Sequence, residues 1–429
     1  MPGEEDAFYK VLHTFLTASQ PISSPRHLKG RGEDLSRLTR ALRSPGRHAF
    51  IYGFRGVGKT SLAQTAVFGL QEDAGHVSIL ASCERDSTFA SVMTDVVRQA
   101  AQINPIEIKS GNSYTASLGV FGMGGSATVS PKYLDNNYRV ETVSDAVATL
   151  KFLADTNGRE YVVLLDEFDV LASTEEHQKF AALLKQLSDT RISVKFVICG
   201  VADSIERLFI AHESLTRQMH TEEVGQLGWQ PRFDIIDDAT AALGFEMDFN
   251  IKTRIALLSD GFPSFVHLVC EHVLVQAHEA GLQHVTSDAF KMGVRSAVSS
   301  ADRPLKREYD DSVKKNTTRS EPVLWAVAAD KHLEINIELA WQNYEEIIRQ
   351  LTSEEYKLDN PLVQWTKVSK NNFSTKLNDL CKPAYGRLLE KPRRANFTFR
   401  EKRMRAYARL RAENEGCRLS YDSVGPSIV

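Results

Sequence analysis

The chain has 429 residues, of which 42% are hydrophobic and 25% charged, and its formal net charge is −3 at pH 7. This length predicts two or three globular domains. The longest apolar runs are only strand-length, which excludes a membrane-spanning helix, and the acidic residues 1–6 lack the pattern of a secretion signal. The five cysteines are widely spaced without a C-x-x-C pair, which excludes a standard zinc module and predicts reduced thiols in a cytoplasmic protein.

Charge is distributed unevenly along the chain. Residues 361–416 hold 14 Lys and Arg against 5 Asp and Glu, so the rest of the chain is acidic. A basic C-terminal segment on an acidic protein favours contact with nucleic acid, although a run of charges is usually just a solvated face.

The first functional motif follows a strand-like run at 48–52 and precedes a helix-like segment at 61–71. Residues 53–60 read Gly-Phe-Arg-Gly-Val-Gly-Lys-Thr and fit G-x-x-x-x-G-K-[ST], the phosphate-binding loop. Its glycines let backbone N–H groups face a phosphate, and the helix N-terminus adds a partial positive charge. We therefore predict an ATP or ADP site in which Lys59 reaches the β- and γ-phosphates and the Thr60 hydroxyl ligates Mg²⁺. The residues expected around the nucleotide are Gly53, Arg55, Gly56, Val57, Gly58, Lys59, Thr60 and Ser61.

Strand-like runs alternate with amphipathic stretches from residue 49 to about residue 227. This alternation predicts a parallel sheet with helices on both faces. Residues 110–131 break the pattern with Gly and small residues, which indicates an exposed hairpin or flap, or a loop without function. The strands are expected at 48–52, 77–81, 161–165, 194–199 and 222–227, and the helices at 87–103, 142–153 and 174–188.

Acidic residues follow the third predicted strand. Asp166 and Glu167 come directly after 161–165, at the edge where such sheets bind ligands. We expect Asp166 to hold Mg²⁺ and Glu167 to orient and deprotonate the attacking water. Asp203, beyond the fourth strand, is a candidate contact to the γ-phosphate or the water, with Ser204 second; capping of the next helix is the alternative for both.

The strand-like runs stop near residue 231. Four helical patterns then predict a small helical lid, and the charged, polar stretch 301–320 predicts a linker. Three further helices and two short strands around a basic turn complete the chain. The lid helices are expected at 232–243, 250–259, 263–280 and 287–299, the later helices at 322–329, 337–351 and 369–381, and the two strands at 385–390 and 396–399.

Together these motifs resemble the AAA+ ATPases, in the branch that holds origin initiators and the STAND signalling ATPases. The run Gly-Arg-Gly-Glu-Asp-Leu at 30–35 resembles a segment that lies against the adenine in that branch, although Gly32 departs from the pattern. The resemblance implies an α/β P-loop NTPase with the AAA+ parallel sheet, a helical lid and a C-terminal winged-helix domain. The implied domains are an extension (1–24), the core (25–230, with an insertion at about 108–137), the lid (231–300), the linker (301–320), the winged helix (321–415) and a tail (416–429).

The resemblance also implies three site residues. Arg31 would lie near the base, and Arg217 would reach the γ-phosphate of a neighbour in a homo-oligomer. Gly-Phe-Pro at 261–263 resembles the lid motif of STAND ATPases, which implies that Pro263 packs beside the nucleotide. An arginine that many AAA+ lids carry near this point is replaced by Ser-Phe-Val-His at 264–267.

A winged helix that bound double-stranded DNA would insert its third helix into the major groove and contact the backbone with its hairpin. Winged helices also act as protein-binding modules, notably in STAND proteins, so a partner protein is the alternative. The candidate DNA contacts are Lys370, Asn372, Lys376, Lys391, Arg393 and Arg394.

Three functions are therefore compatible with the sequence. The basic C-terminal segment favours a DNA-associated ATPase that assembles on DNA. Gly-Phe-Pro without a lid arginine favours a signalling or defence switch that holds ADP until a trigger acts. The third, a nucleotide-binding scaffold with negligible turnover, has no need of the water-activating Glu167.

Overall fold

The computed structural model describes residues 2–18, 20–103, 114–117, 126–129, 138–171, 173–212, 214–314 and 320–419. The chain forms two compact units. The sheet unit consists of Pro21–Phe54 and Gly58–Gly225, and the helical unit of Met1–Gln20, Arg55–Val57 and Gln226–Val429. Within the described ranges, no helix combines the length and hydropathy that a membrane crossing requires.

The chain begins with helix α1 (Pro2–Phe15), part of the helical unit, and then builds the sheet unit around five parallel strands. The sheet order is β2-β5-β6-β1-β7, which confirms the parallel sheet that the alternation predicted. The strands of this unit are β1 (His48–Tyr52), β2 (Val77–Ser82), β3 (Tyr114–Ser117), β4 (Ser126–Val129), β5 (Tyr161–Asp166), β6 (Val194–Gly200) and β7 (Met219–Glu223). Its helices are α2 (Gly32–Leu42), α3 (Lys59–Ala74), α4 (Phe89–Ile103), α5 (Val143–Asn157), α6 (Thr174–Asp189), α7 (Ala202–Ala211) and α8 (Leu215–Gln218).

Strands β5 and β6 lie in the middle of the core. All seven residues of β6 and the first five of β5 are buried, as expected where helices cover both faces of a parallel sheet. The last strand begins three residues earlier than the predicted 222–227. Strand β7 pairs with β1 from Met219 opposite His48 onward, so the length of β1 determines the length of β7. The apolar Val224 and Leu227 are buried in the chain that follows β7.

Strands β3 and β4 pair antiparallel, with Tyr114 opposite Val129 and Ser117 opposite Ser126. This pairing agrees with the hairpin expected within 110–131. The connecting residues 118–125 lie outside the described residues, so the flap and loop alternatives stay predictions.

The lid part of the helical unit contains α9 (Trp229–Leu243), β8 (Glu246–Met247), α10 (Phe249–Leu258), α11 (Pro263–Glu279), β9 (His284–Val285) and α12 (Ser287–Ser300). Helix α11 begins with Pro263 at its first turn, where a missing N–H is harmless. Gly293 lets α12 approach α11 closely, because a Cβ there would lie 2.5 Å from the Cα of Val273.

The stretch expected as a linker contains a helix, α13 (Arg303–Lys314). Its buried residues, Leu305, Tyr309 and Ser312, recur at helical spacing, and the Trp325 indole N–H donates to the Tyr309 hydroxyl at 3.0 Å. The linker prediction is therefore wrong for residues 303–314. Few residues of α13 that face the protein interior are apolar, and the composition of this stretch therefore resembled that of a solvent-exposed linker.

In the C-terminal region, residues 321–414, helices precede a strand hairpin as predicted, but a short helix at 354–359 was not predicted, and the winged helix itself stays a prediction. The region contains α14 (Glu321–Ala328), β10 (Ile335–Asn336), α15 (Ile337–Leu351), α16 (Glu354–Asp359), α17 (Lys370–Asp379), β11 (Leu389–Arg393), β12 (Asn396–Phe399) and α18 (Arg403–Asn414). The strands form an antiparallel sheet in the order β10-β12-β11. Trp325, Tyr344 and Phe373 fill the core between these helices.

The strand expected at 385–390 is displaced. Pro383–Tyr385 forms a short 3₁₀ turn, and Gly386 and Arg387 follow with φ of 83° and 50°, which a strand does not allow. Pairing with β12 therefore begins only at Leu389, and Lys391 lies within β11 rather than in the basic turn.

Candidate nucleotide-binding site

The phosphate-binding loop connects β1 to α3. Gly53, Gly56 and Gly58 have φ of 151°, 80° and 97°, a region that glycine occupies without strain. Gly58 is the N-cap of the 16-residue α3, and no side chain caps the helix there. The first N–H groups of α3 are thus directed at a position where an anion fits.

Lys59 lies across this loop. Its Nζ donates to the carbonyl oxygens of Gly53 and Phe54, each at 3.0 Å. The ammonium is thereby held against the loop, and phosphate oxygens would be stronger acceptors for it than these two carbonyls.

Thr60 and Asp166 meet at the end of β5. The Thr60 hydroxyl donates to Oδ2 of Asp166 at 2.7 Å, and Oδ1 of Asp166 accepts from the N–H of Glu167 at 2.8 Å. A hydroxyl beside a carboxylate is a donor set suited to Mg²⁺, which usually takes one or two protein oxygens and completes its shell with phosphates and water. The residues present therefore fit the metal that the sequence predicted.

Glu167 occupies a strained position. Its φ is 54°, in the left-handed region that costs a non-glycine residue about 1–3 kcal/mol. The next residue, Phe168, is buried and makes edge-to-face contacts with Phe50 and Phe180. Packing of Phe168 thus fixes the backbone that presents the exposed Glu167 carboxylate beside Asp166.

Two buried thiols lie near these acids. Burial, followed by the charges of Asp166, Asp169 and Glu167, raises the pKa of Cys83 to about 12. Burial also raises the pKa of Cys199, and Asp166 adds to the effect. Both thiols therefore stay protonated at neutral pH, which makes them poor nucleophiles.

Arg31 is engaged by protein groups. Its guanidinium donates to the carbonyl of Gly225 and lies 3.5 Å from Oδ2 of Asp34, and burial lowers its pKa. Asp34 also binds Arg37 at 2.6 Å, and Arg37 binds the buried Glu222 at 2.7 Å. Arg31 thus anchors the start of α2 to the chain after β7, and its contact with the base stays a prediction.

Sequence motifs did not reveal the contact between Ile22 and α3. The N–H of Ile22 donates to Oγ of Ser61 at 3.0 Å, and its carbonyl accepts from the Thr65 hydroxyl at 3.3 Å. The expected nucleotide neighbour Ser61 is therefore also a tether for the chain that enters the sheet unit.

The two candidates beyond β6 differ in exposure. Asp203 is exposed on the first turn of α7, whereas Ser204 is 3% exposed. The N-cap is Val201 and no side chain caps the helix, so the capping alternative is wrong for both residues. Arg217 is exposed in the last turn of α8, and its action on a neighbouring subunit stays a prediction.

The tip of the loop, Arg55–Val57, groups with the helical unit. A Cβ on Gly56 would lie 2.5 Å from Cδ of Arg403 and 3.5 Å from Oγ of Ser264, so only glycine fits at this tip. No sequence motif pointed to Arg403. Pro263 begins α11 in the same unit, and its contact with the nucleotide stays a prediction.

The lysines proposed for DNA contact on α17 have protein partners. Lys370 pairs with Glu338. Lys376 is half-buried near the Ser320 hydroxyl at 3.3 Å, and burial lowers its pKa. The N–H of Asn372 donates to Oγ of the capping residue Ser369, while the Asn372 side chain is exposed.

The hairpin of β11 and β12 is more open. Lys391, Arg393 and Arg394 are all exposed. Lys391 donates to Oδ1 of Asn378 at 2.5 Å, and Arg393 lies 3.6 Å from Glu334. The hairpin therefore presents exposed basic groups, of which Lys391 is held by Asn378 and Arg393 has only a long contact with Glu334.

Most basic residues of the segment 361–416 pair with carboxylates of the helical unit, and in eight of the ten pairs below the carboxylate lies outside the segment. At least ten of its 14 Lys and Arg form ion pairs, and Arg405 and Arg409 on α18 are only 3% and 4% exposed. Arg405 and Arg409 are therefore too buried to contribute to a DNA-binding surface. The pairs are Lys367–Glu345, Lys370–Glu338, Lys382–Asp379, Arg393–Glu334, Arg400–Glu308, Lys402–Glu390, Arg403–Asp302, Arg405–Asp260, Arg409–Asp260 and Arg411–Asp310.

Known proteins resemble this chain in part of its sequence and in its fold. Residues 27–198 match the AAA ATPase domain family. A Walker-type ATPase of Pyrococcus abyssi superposes with a TM-score of 0.52 at 14% identity, over 91% of this chain and 99% of that chain. The ORC2 protein of Aeropyrum pernix, solved in ADPNP and ADP complexes, superposes with a TM-score of 0.50 at 15% identity, over 94% and 98%. No curated protein matches the chain. The chain thus carries an AAA ATPase domain and has the fold of the AAA+ P-loop ATPases.

Proposed function

We propose that this chain is an ATP-hydrolysing molecular switch. The observation that carries the proposal is the bond of 2.7 Å between Thr60 and Asp166, with Glu167 next in the chain. It brings the end of the phosphate-binding loop together with the two acids that a hydrolytic site needs, over a separation of 106 residues in sequence.

Each residue has a separate role in this proposal. Lys59 and the N–H groups at the start of α3 bind the β- and γ-phosphates of ATP. Thr60 and Asp166 would hold Mg²⁺, which compensates the phosphate charge when it is bound. Glu167 orients a water in line with the γ-phosphate and accepts its proton, so that ADP and phosphate form.

The first test compares Glu167→Gln with Asp169→Asn, a matched control two residues away that is exposed on the same turn. We expect Glu167→Gln to bind ATP but to lose about 100-fold or more in kcat, since general-base catalysis contributes about 10²–10⁴-fold. Asp169→Asn should retain turnover, and Lys59→Ala should lose nucleotide binding. Equal hydrolysis by the Glu167 variant and the native chain would contradict the assignment.

We propose further that the C-terminal region is a winged helix that associates with double-stranded DNA through the β11–β12 hairpin. The exposure of Lys391, Arg393 and Arg394 supports this choice. The lysines of α17 support it less, because Lys370 already pairs with Glu338. Assembly into a homo-oligomer, with the exposed Arg217 directed at a neighbour's γ-phosphate, completes the proposal.

Fluorescence anisotropy with duplex DNA tests this part, in ATP and in ADP across a salt series. The double variant Arg393→Ala/Arg394→Ala should weaken binding and flatten the plot of log K against log salt by about 0.9 for each phosphate that the protein no longer neutralises. Lys370→Ala is the control, since its charge is already neutralised within the protein. A salt slope that neither variant alters would place the DNA contact elsewhere.

A partner protein is the second candidate. Leu358 near the end of α16 and Leu362 just after that helix are 82% and 95% exposed, and a partner protein would remove these two apolar side chains from water, whereas a phosphate backbone would not. Failure to bind DNA in either nucleotide state, with nucleotide binding intact, would favour this signalling function.

A further inference from the structure

The turn between α10 and α11 carries the Gly-Phe-Pro motif of the lid. Asp260 and Gly261 have φ of 52° and 77°, and the N–H of Phe262 donates to the Ser259 carbonyl at 2.9 Å. Asp260 is 5% exposed, and its left-handed backbone is strained because, unlike glycine, it carries a Cβ. A strained, buried aspartate in front of Pro263 calls for a stabilising partner.

Two arginines of α18 provide it. Arg405 forms a bidentate ion pair with Asp260, in which Nη2 donates to Oδ1 at 2.5 Å and Nε donates to Oδ2 at 2.6 Å. Arg409 adds Nη1 at 2.8 Å from Oδ1. Such paired, charge-assisted bonds fix orientation as well as distance.

The same guanidinium groups bind main-chain carbonyls. Arg409 donates to Leu257 at the end of α10 at 3.1 Å, to Ala328 at the end of α14 at 2.9 Å, and to Asp330 at 2.7 Å. Arg405 donates to the carbonyl of His332. One buried ion cluster therefore joins the lid turn, the loop after α14 and helix α18.

The connection continues to the hairpin. Lys402, immediately before α18, donates to Glu390 of β11 at 2.9 Å and to the carbonyl of Phe399 at the end of β12 at 2.7 Å. Helix α18 is thus bonded at one place to the lid turn and at its start to both strands of the hairpin.

We propose that the cluster of Asp260, Arg405 and Arg409 couples the lid turn to the C-terminal region, so that the two shift as one body when the nucleotide changes. The inference rests on the proposed nucleotide switch and names the contact that transmits its state to the hairpin. Breaking one member leaves a buried charge uncompensated, so the cluster resists partial opening. Packed elements of this kind switch between discrete arrangements instead of deforming gradually.

The test measures distances within the helical unit by double electron–electron resonance. Spin labels are placed at Met292 on α12 and Leu339 on α15, which are 56% and 40% exposed, after the half-exposed Cys381 is replaced by Ser. The other four cysteines are buried. Full-length protein is measured with ADP and with a non-hydrolysable ATP analogue, and nucleotide binding is checked separately with a fluorescent analogue.

We expect one narrow distance distribution, the same with both nucleotides, in the otherwise native chain. Asp260→Asn should broaden or shift this distribution in at least one nucleotide state. Arg411→Met is the matched control: Arg411 lies on α18 as well but pairs with Asp310 of α13, so the distribution should stay narrow.

A native distribution that changes with nucleotide, or an Asp260→Asn distribution identical to the native one, would overturn the proposal. If Asp260→Asn does not fold, Arg405→Lys tests the proposal instead, because lysine keeps the positive charge but cannot form the bidentate pair with Asp260. Broadening in Arg405→Lys supports the coupling, and an unchanged distribution refutes it. Failure of the native chain to bind the fluorescent analogue would instead refute the proposed switch, and this measurement is independent of the distances.

Discussion

Among single residues, His48 is a buried histidine on β1, the strand that pairs with β6 and β7. Its Nδ1 accepts from the N–H of Phe196 at 3.0 Å, and its Nε2 donates to the carbonyl of Leu184 at 3.1 Å. These two bonds require the neutral ring. Burial lowers the pKa of His48 from 6.5 to about 4, with a smaller contribution from Lys195, although the carbonyl bond opposes the shift.

This shift predicts acid sensitivity. Because the folded pKa lies below the unfolded one, the unfolded state binds more protons between pH 6.5 and pH 4, and stability falls as the pH falls through that window. The contribution of neutral His48 to the free energy of unfolding is complete above pH 6.5, and the loss of this contribution on acidification corresponds to about 3 kcal/mol.

Urea unfolding at pH 7 and pH 4.5 measures the effect. His48→Gln should be less stable at pH 7 but should lose less stability on acidification than the native chain. His284→Gln, at a half-exposed position, is the control and should keep the native pH dependence. An unchanged pH dependence in His48→Gln would show that other groups cause the acid sensitivity.

The site residues fall into two classes of predictability. Lys59, Thr60, Asp166 and Glu167 follow from local motifs, because the backbone geometry of a loop or strand end dictates which residues appear together in sequence. Asp260 lies 145 residues from Arg405, and both are charged types that ordinarily face solvent. No local pattern distinguishes a buried cluster of this kind from a solvated helix.

At the scale of elements, helix α1 is a component of the lid. Phe8 stacks on His278 of α11 with ring centroids 3.7 Å apart and planes 5° apart, and it meets Phe245 edge to face. Leu12 and Leu16 are fully buried. The N–H of Thr17 donates to Nδ1 of His267 at 3.4 Å, so the segment contacts α11 near both of its ends.

Removal of the Phe8 ring should therefore destabilise the helical unit. Phe8→Ala is expected to cost about 3–5 kcal/mol of unfolding free energy, the usual range for a buried phenylalanine. Thr14→Ala, an exposed change on the same helix, should stay within about 0.5 kcal/mol. Chemical denaturation followed by far-UV circular dichroism measures both, and equal stability of the two variants would mean that α1 packs too loosely to matter.

Elements with strong periodicity were predicted well. Helix α15 and strand β12 have the predicted bounds, because their apolar residues recur at the spacing of a helix and of a strand. Helix α13 was missed because its buried stripe is narrow, and β11 was misplaced because Gly386 and Arg387 take a turn conformation that apolar neighbours concealed. Periodicity fixes an element only where its buried face is wide.

At the scale of the whole molecule, charge along the sequence differs from charge in space. Most of the paired basic residues of 361–416 have carboxylate partners earlier in the chain, among them residues of α13, α15 and the lid. The acidity of the earlier segments is thus partly the complement of the basic segment. Sequence separation of opposite charges then reports on packing within the helical unit as much as on a nucleic-acid partner.

The division into two compact units predicts two thermal unfolding transitions, since each unit has its own core. Lys59, Thr60 and Asp166 all belong to the sheet unit. ADP with Mg²⁺ should therefore raise the midpoint of that unit's transition more than the other. A ligand at 100 times its Kd adds about 2.7 kcal/mol, and about 2–4 °C accompanies each kcal/mol in a unit of this size.

Differential scanning calorimetry with and without ADP measures these shifts, and Phe8→Ala identifies the transition of the helical unit because Phe8 lies within it. Lys59→Ala should abolish the ligand-induced shift while leaving both midpoints in the absence of ADP close to native values, since the loop carbonyls that its ammonium binds are exposed or half-buried. Equal shifts of both transitions would mean that the helical unit contributes as much binding energy as the sheet unit. That result would give Pro263 and the loop tip as large a part in holding the nucleotide as the residues of α3 and β5.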